Sequence, residues 1–347
     1  MNRLSRLFSL KNFIKLNKFR TSTVNNSSFN ACRKLYTNPQ YVHNLRNSNF
    51  NGKILLALNI LTWLGFTKDD ENKESELIMT LKRAVLCMQR EQYEKAEQML
   101  HLALRIAQQQ QNQQGVVYCY DLMANLAFDQ NDLVKANKLF KSVLQILLAN
   151  GMPDDDIKVI HISLKLARIC QLAAELKEAE IGYTWCLQQI DKKRSDNIHA
   201  SILYGVINDW YAQFLLDKGE VNKALERLQE AYRICSELIG KNTQQAVLLL
   251  NDLGTTSFRA EDMVNAEKYL KEAVNIGSTL DDKSHLGVVQ ANLGLILLEK
   301  GVIDLAEKNC KEAWHLGRKH ENEESIHQAS YCLDQIKMNL EERLKSK

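Results

Sequence analysis

The chain predicts an all-α fold: a solenoid of about six helix–turn–helix units followed by a C-terminal capping helix. The first of three supporting observations is an internal ruler. Six times a small residue is followed twelve positions later by alanine: Ala84/Ala96, Ala124/Ala136, Ala167/Ala179, Ala212/Ala224, Gly254/Ala266 and Gly294/Ala306. Small residues are needed where two antiparallel helices cross closely, and an interval of this length spanning one turn sets two of them on facing helices. The second observation is an apolar stripe beyond each second alanine. Four positions on stand Leu100, Phe140, Tyr183, Leu228, Leu270 and Cys310; three further stand Ala103, Val143, Cys186, Ala231, Ala273 and Ala313. That is one helix face at i, i+4, i+7. The third is the recurrence itself: the second alanines follow one another at intervals of 40, 43, 45, 42 and 40 residues.

Pairs of helices crossing at small residues resemble the tetratricopeptide type of repeat, whose usual period is about 34 residues. The longer interval here requires longer helices or longer connections. Only Pro39 and Pro153 occur, so the proline that often ends such a repeat is mostly missing, and longer helices are expected.

In chain order, the first element is a leader, residues 1–53. No acidic residue precedes Asp69, while eleven basic ones do, from Arg3 to Lys68. Lys11, Lys15 and Lys18 form one helical stripe, and Leu10, Phe13 and Ile14 fall on another. This is the composition of a mitochondrial transit peptide, with Arg33 as a candidate cleavage determinant. A basic arm for nucleic acid or anionic lipid is the competing reading; a secretory signal is not expected, because the apolar run begins too far from Met1.

That run is the second element, residues 54–68, where Lys53 and Lys68 bracket fourteen uncharged residues. As a helix it spans roughly 21 Å, against about 30 Å of membrane hydrocarbon, and Asn59 weakens it further. It is open to three readings: a short anchor with snorkelling lysines, a sorting signal that halts import at the inner membrane, or an extra helix packed on the first repeat. Trp63 and Phe66 at its end suit a membrane interface.

The repeats make up the third element, residues 69–347. The eleven basic residues before Asp69 leave 34 of the 45 for the rest of the chain, against 42 acidic ones, so an overall charge of +3 conceals an acidic body near −8. Gly219 and Gly301 lie in intra-unit turns, and Gly151, Gly240, Gly277 and Gly317 fall where second helices are expected to end. From about Ser325 to Leu344, Ile326, Ala329, Leu333, Ile336 and Leu340 recur among charges, as in a capping helix with a wet outer face.

Motifs that carry catalysis are absent from the sequence. It contains no phosphate loop, nucleophile elbow, dinucleotide fingerprint or H-E-x-x-H. The eight cysteines form no C-x-x-C and suggest neither a zinc site nor a disulfide framework; Cys87, Cys170, Cys186 and Cys310 fall at packing positions. Trp185 and Trp314 are expected to pack as well. His315 and His320 alone are too few for a metal. No enzyme activity, cofactor, metal or nucleic-acid partner is therefore expected.

The working surface of such a stack is the groove lined by its first helices. Its expected lining is Asp121, Asn125, Arg168, Asp209, Asn251, Thr255 and Asn292. An asparagine amide suits a groove because it bonds both the N–H and the C=O of an extended segment. Solvated helix surface is the competing reading for each residue. In the first unit the corresponding places are apolar, Ile78, Leu81, Val85 and Met88, and look ready to be covered by residues 54–66 or a partner. No regular Lys/Asn/Lys/Arg pattern is present, which counts against a clamp for acidic chaperone tails.

Four stretches carry a closer likeness: Leu81-Lys-Arg-Ala84, Leu122-Met-Ala-Asn-Leu-Ala-Phe128, Ser163-Leu-Lys-Leu-Ala167, and Leu250-Asn-Asp-Leu253 followed by Thr255 and Thr256. In order and repeat position they resemble the tetratricopeptide repeat protein 19 family, over roughly Asp69 to the C-terminus. The resemblance implies a non-catalytic mitochondrial inner-membrane protein that supports respiratory complex III. It implies complex III subunits as partners, above all the Rieske iron–sulfur protein, whose processed fragments are cleared. The alternative is a cytosolic tetratricopeptide-repeat adaptor for protein transport or membrane remodelling, using the same groove.

Overall fold

The computed structural model describes residues 75–193 and 197–345. The leader 1–53 and the apolar segment 54–68 lie outside them. The described residues contain thirteen helices and no strand, so the all-α tetratricopeptide-type architecture is what the chain adopts. The chain divides into two compact units, Met1–Gln189 and Ile190–Lys347.

The first unit holds α1 (Glu76–Gln89), α2 (Tyr93–Gln109), α3 (Gln113–Asp129), α4 (Leu133–Ala149), α5 (Ile157–Leu172) and α6 (Leu176–Ile190), which ends at its border. Side-chain oxygens open α3, α4 and α5. Asn112 accepts from the Gly115 amide at 2.9 Å, Asp132 from Lys135 at 3.0 Å and Asp156 from Lys158 at 2.8 Å, each satisfying an N–H that the helix itself cannot. The second unit holds α7 (Ile198–Asp217), α8 (Val221–Leu238), α9 (Gln244–Arg259), α10 (Met263–Thr279), α11 (Leu286–Glu299), α12 (Ile303–Lys319) and α13 (Glu323–Lys345). The extra length of the repeat goes both to helices and to connections: α7 runs 20 residues, and 150–156 and 280–285 join successive pairs.

The ruler is the core. All ten of its alanines have no exposed surface. The large residues beyond them, Leu100, Phe140, Tyr183, Leu228 and Leu270, are equally enclosed. A Cβ added at Gly254 would stand 2.6 Å from Leu270 Cγ and 3.2 Å from the Ala266 carbonyl oxygen, so the glycine is what lets α9 and α10 touch. Trp185 packs partly buried in the first unit's core, and Trp314 against Ala291, Ala313 and Ala329 in the second.

Every turn inside a helical pair has one residue with a left-handed backbone, five positions before the second alanine: Glu91, Asn131, Ala174, Gly219, Glu261 and Gly301. Sequence marks only the two glycines. Around Gly219 its amide bonds the Leu216 carbonyl and the Glu220 amide bonds Leu215; around Ala174 the same two bonds form, to Gln171 and Cys170. These are Schellman closures, which satisfy the last carbonyls of a helix.

Four expectations need correcting. Gly151 and Gly240 do follow helix ends with positive φ, but Gly277 and Gly317 lie inside α10 and α12. They are sites of close approach: a Cβ on Gly277 would lie 3.1 Å from Leu286 Cδ1, and one on Gly317 2.8 Å from the Ile326 amide. In α13, Leu340 is exposed, and Ser325 and Cys332 are buried in its place. Leu81, Val85 and Met88 are buried in the first unit's own core and do not line an open groove; the segment 54–66 expected to cover that end lies outside the described residues. The absence of a disulfide pattern also misleads, because Cys310 and Cys332 are joined. They are 22 residues apart and come together only because α12 and α13 are antiparallel neighbours, which linear spacing cannot show.

Candidate partner-binding face

In the first unit the polar residues of α3 and α5 form two hydrogen-bonded clusters, the second reaching α6. Asn125, buried, donates from Nδ2 to the Asp121 carbonyl oxygen at 2.7 Å and to Asp121 Oδ2 at 3.1 Å. Its Oδ1 accepts from Lys165 Nζ at 2.5 Å. Lys165 is itself buried and stands 5.2 Å from the centre of the Phe140 ring, within range of a cation–π attraction. Burial lowers the Lys165 pKa, while Asp121 and Asp129 oppose the shift. On the same helix Arg168 donates from Nη1 to Gln171 Oε1 at 2.9 Å, and Tyr183 Oη donates to that oxygen at 2.6 Å.

In the second unit a chain of amides crosses four helices. Gln213 on α7 donates from Nε2 to Asp252 Oδ2 at 3.1 Å. Asn251 reaches Asp252 Oδ1 from Nδ2 at 3.4 Å. Asn292 on α11 donates from Nδ2 to Asn251 Oδ1 at 2.8 Å, and Gln328 on α13 donates from Nε2 to Asn292 Oδ1 at 2.9 Å. Asn251 and Asn292 are buried and Thr255 half-buried; the Thr255 hydroxyl bonds the Asn251 and Asp252 carbonyls within its own helix. Asp209 is buried. The carboxyl of Asp252 is pushed up to about 8, first by burial and then by Asp209; Glu324 adds to the rise, while bonds from Asn251 and Gln213 resist it. Burial alone pushes Glu324 up to about 7.

The seven expected lining residues therefore separate into two groups. The structure joins Asp121 to Asn125 and Asn251 to Asn292, with Thr255 held to the Asn251 carbonyl. Arg168 belongs to the Gln171–Tyr183 cluster, and Asp209 acts on Asp252 through its charge. Sequence missed Lys165, Gln171, Gln213, Asp252 and Gln328. Lys165 had one visible signal: it stands between Leu164 and Leu166, in a stretch from Val159 to Ala167 whose other polar residues are His161 and Ser163. Asp252 directly follows Asn251, and a residue so placed on a helix points about 100° away from its neighbour; only the turn of α9 shows that both reach the same chain.

Known proteins bear on what this face belongs to. The tetratricopeptide repeat family model matches residues 203–279. The mitochondrial tetratricopeptide repeat protein 19 homolog of Drosophila melanogaster is 40% identical over 279 residues, which cover 80% of this chain and 76% of that one. The chain belongs to the tetratricopeptide repeat protein 19 family. The Rattus norvegicus member is 30% identical over 282 residues, 75% of this chain and 77% of its own. Both members are named mitochondrial, and this chain is a mitochondrial tetratricopeptide-repeat protein. Two solved structures share the fold at low identity. Apo RapI has a TM-score of 0.58 at 14% identity, covering 91% of this chain and 86% of that one. A Rap protein complexed with competence and sporulation factor has a TM-score of 0.56 at 13% identity, covering 91% and 89%. In this member of the tetratricopeptide repeat protein 19 family, no described helix is long and apolar enough to cross a membrane.

Proposed function

We propose that the chain is a non-catalytic scaffold at the mitochondrial inner membrane. It binds respiratory complex III components and supports their assembly and maintenance, including turnover of the Rieske iron–sulfur subunit. The observation that carries this reading is the 40% identity to a mitochondrial tetratricopeptide repeat protein 19 over most of both chains. The mitochondrial relatives also favour the acid-free leader 1–53 as a transit peptide over a cytosolic adaptor's accidental arm.

The face described above suits a partner segment of basic character. Asp209, Asp252 and Glu324 are carboxyls of one unit whose surroundings raise two of their three pKa values. A lysine or arginine brought beside Asp252 reverses that effect and favours ionisation. The acidic body draws such a segment from a distance, by an attraction that salt screens. Asn125, Arg168, Asn251, Thr255 and Asn292 are the candidates for polar contacts along the first helices, each after exchanging an internal hydrogen bond for an external one.

The test is recovery of complex III subunits from solubilised mitochondria with tagged full-length chain, beside an Asp209→Asn/Asp252→Asn variant whose helicity is checked by circular dichroism. The wild type should recover them less well as salt rises, and the variant should recover fewer. Full recovery by a folded variant would place binding elsewhere on the chain. Failure of the wild type to recover any complex III subunit would end the scaffold reading.

A further inference from the structure

The sixth repeat breaks the packing rule that the other five obey. Four positions after the second alanine they place Leu100, Phe140, Tyr183, Leu228 and Leu270; the sixth has Cys310. A thiol fills far less space than any of these, and α13 supplies the remainder with Cys332. Both side chains are fully enclosed, with their Cα atoms 6.0 Å apart, inside the span of about 4.4–6.8 Å that a disulfide needs. Gly294 on α11 clears the space: a Cβ there would collide with Cys310 Sγ and stand 3.2 Å from Cys332 Sγ. The other described cysteines are all free thiols. We propose that Cys310 and Cys332 are a redox latch that fastens the capping helix to the last repeat.

The end of a helical stack is where such a fastening matters. A terminal helix has a neighbour on one side only and frays first. Helix α13 carries Gln328, whose bond to Asn292 ends the amide chain, and Ser325, whose hydroxyl donates to the Ala313 carbonyl at 3.1 Å. Cys332 lies one turn beyond Gln328, so a bond there holds both contacts in place.

The latch closes by thiol–disulfide exchange with a disulfide-bearing oxidant, for which glutathione disulfide serves. Both sulfurs are enclosed, so exchange begins when α13 lifts. The Cys332 thiolate attacks one sulfur of the oxidant, breaking its S–S bond and releasing one glutathione thiolate. The Cys310 thiolate then attacks the Cys332 sulfur of the mixed disulfide and releases the second glutathione. The protein gives up two protons and two electrons, and the oxidant becomes two thiols. Reduction runs the same steps backwards, and the balance follows the surrounding thiol–disulfide poise.

The full-length chain is equilibrated in glutathione buffers from fully reduced to fully oxidised, denatured, and alkylated. The latch predicts eight modified cysteines at the reduced end and six at the oxidised end, with the 310–332 cross-link identified in peptides. Hydrogen exchange on the native protein should show amides of α13 about tenfold or more better protected when oxidised. A Cys332→Ser variant should lose this redox dependence, and if it unfolds, the wild-type comparison stands by itself. Eight modified cysteines at every ratio, or a cross-link elsewhere, would overturn the bond. A 310–332 bond that leaves α13 exchange unchanged would overturn the latch.

Discussion

The two units build their polar faces from the same repeat positions and reach opposite electrostatic outcomes. Asp121 in the first unit and Asp209 and Asn251 in the second all stand three residues before a ruler residue. In the first unit the buried ion is a cation: Lys165 has an amide oxygen at 2.5 Å, a ring face beside it and two carboxylates acting on it. In the second the principal charges acting on the half-buried Asp252 carboxyl, Asp209 and Glu324, are both negative, and its bonded neighbours Gln213 and Asn251 are neutral. One face is internally compensated. The other holds acids in a state that a cation would relieve, and that is where a basic partner has most to offer.

Removing the compensation in the first unit should have the largest effect. Lys165→Met keeps the length of the side chain but leaves Asn125 Oδ1 without its donor and Asp121 and Asp129 without their cation. The expected loss is ~3 kcal/mol in urea unfolding. A neutral or stabilising outcome would mean that desolvating the ammonium outweighs what it neutralises, and the contrast between the faces would fail. Overpacking comes next. Ala179→Leu forces three heavy atoms into a crossing with no free surface and should cost ~2 kcal/mol; an unchanged thermal melt would contradict the register of the helical pairs.

The register was legible because packing repeats. Ala136, Ala179 and Ala266 answer to the same steric demand, so a single rule read six times locates the crossing within each helical pair. The face was legible only in part, because hydrogen bonds between repeats do not repeat. Asn292 stands two residues before its ruler glycine and Asn251 three, yet they bond each other, joining residues 41 apart. Gln328 belongs to a helix that lacks the ruler altogether. The expectation of free amides in a groove also overlooked that buried amides find partners inside the protein first. Cys310 was visible as a departure from the rule for large residues; its meaning depended on Cys332, which no periodicity points to.

The second unit should respond to pH in a way set by Asp252. The folded carboxyl keeps its proton up to about pH 8, whereas its ordinary value is 3.8. Its contribution to stability is therefore fully present below pH 3.8, and it drains away as pH rises through 8. Asp252→Asn keeps the shape and removes the titration. The variant should match wild type near pH 4 and exceed it by ~1–2 kcal/mol near pH 8, a range reduced from the full shift because the group is half-buried. Equal stability at both pH values would show that solvent or a hidden cation already satisfies the carboxyl.

The smallest effects separate the units by their turns. The first unit closes its three helical pairs with Glu91, Asn131 and Ala174 in the left-handed region, whereas the second uses Gly219, Glu261 and Gly301. Alanine has no side-chain bond with which to offset that conformation, and Ala174 holds φ at 60°. Ala174→Gly should therefore stabilise by ~0.5–1 kcal/mol, with part of the relief lost to the freer unfolded chain. Gly219 is the reciprocal case. Its φ is 78°, and a Cβ there would meet nothing within 4 Å, so Gly219→Ala adds backbone strain with no packing change. It should cost about 1 kcal/mol. Thermal melts of the two variants should move in opposite directions by similar amounts. If both moved downward, Ala174 would owe its place to contacts of its methyl group, and the turns of the first unit would be selected for packing where those of the second are selected for backbone freedom.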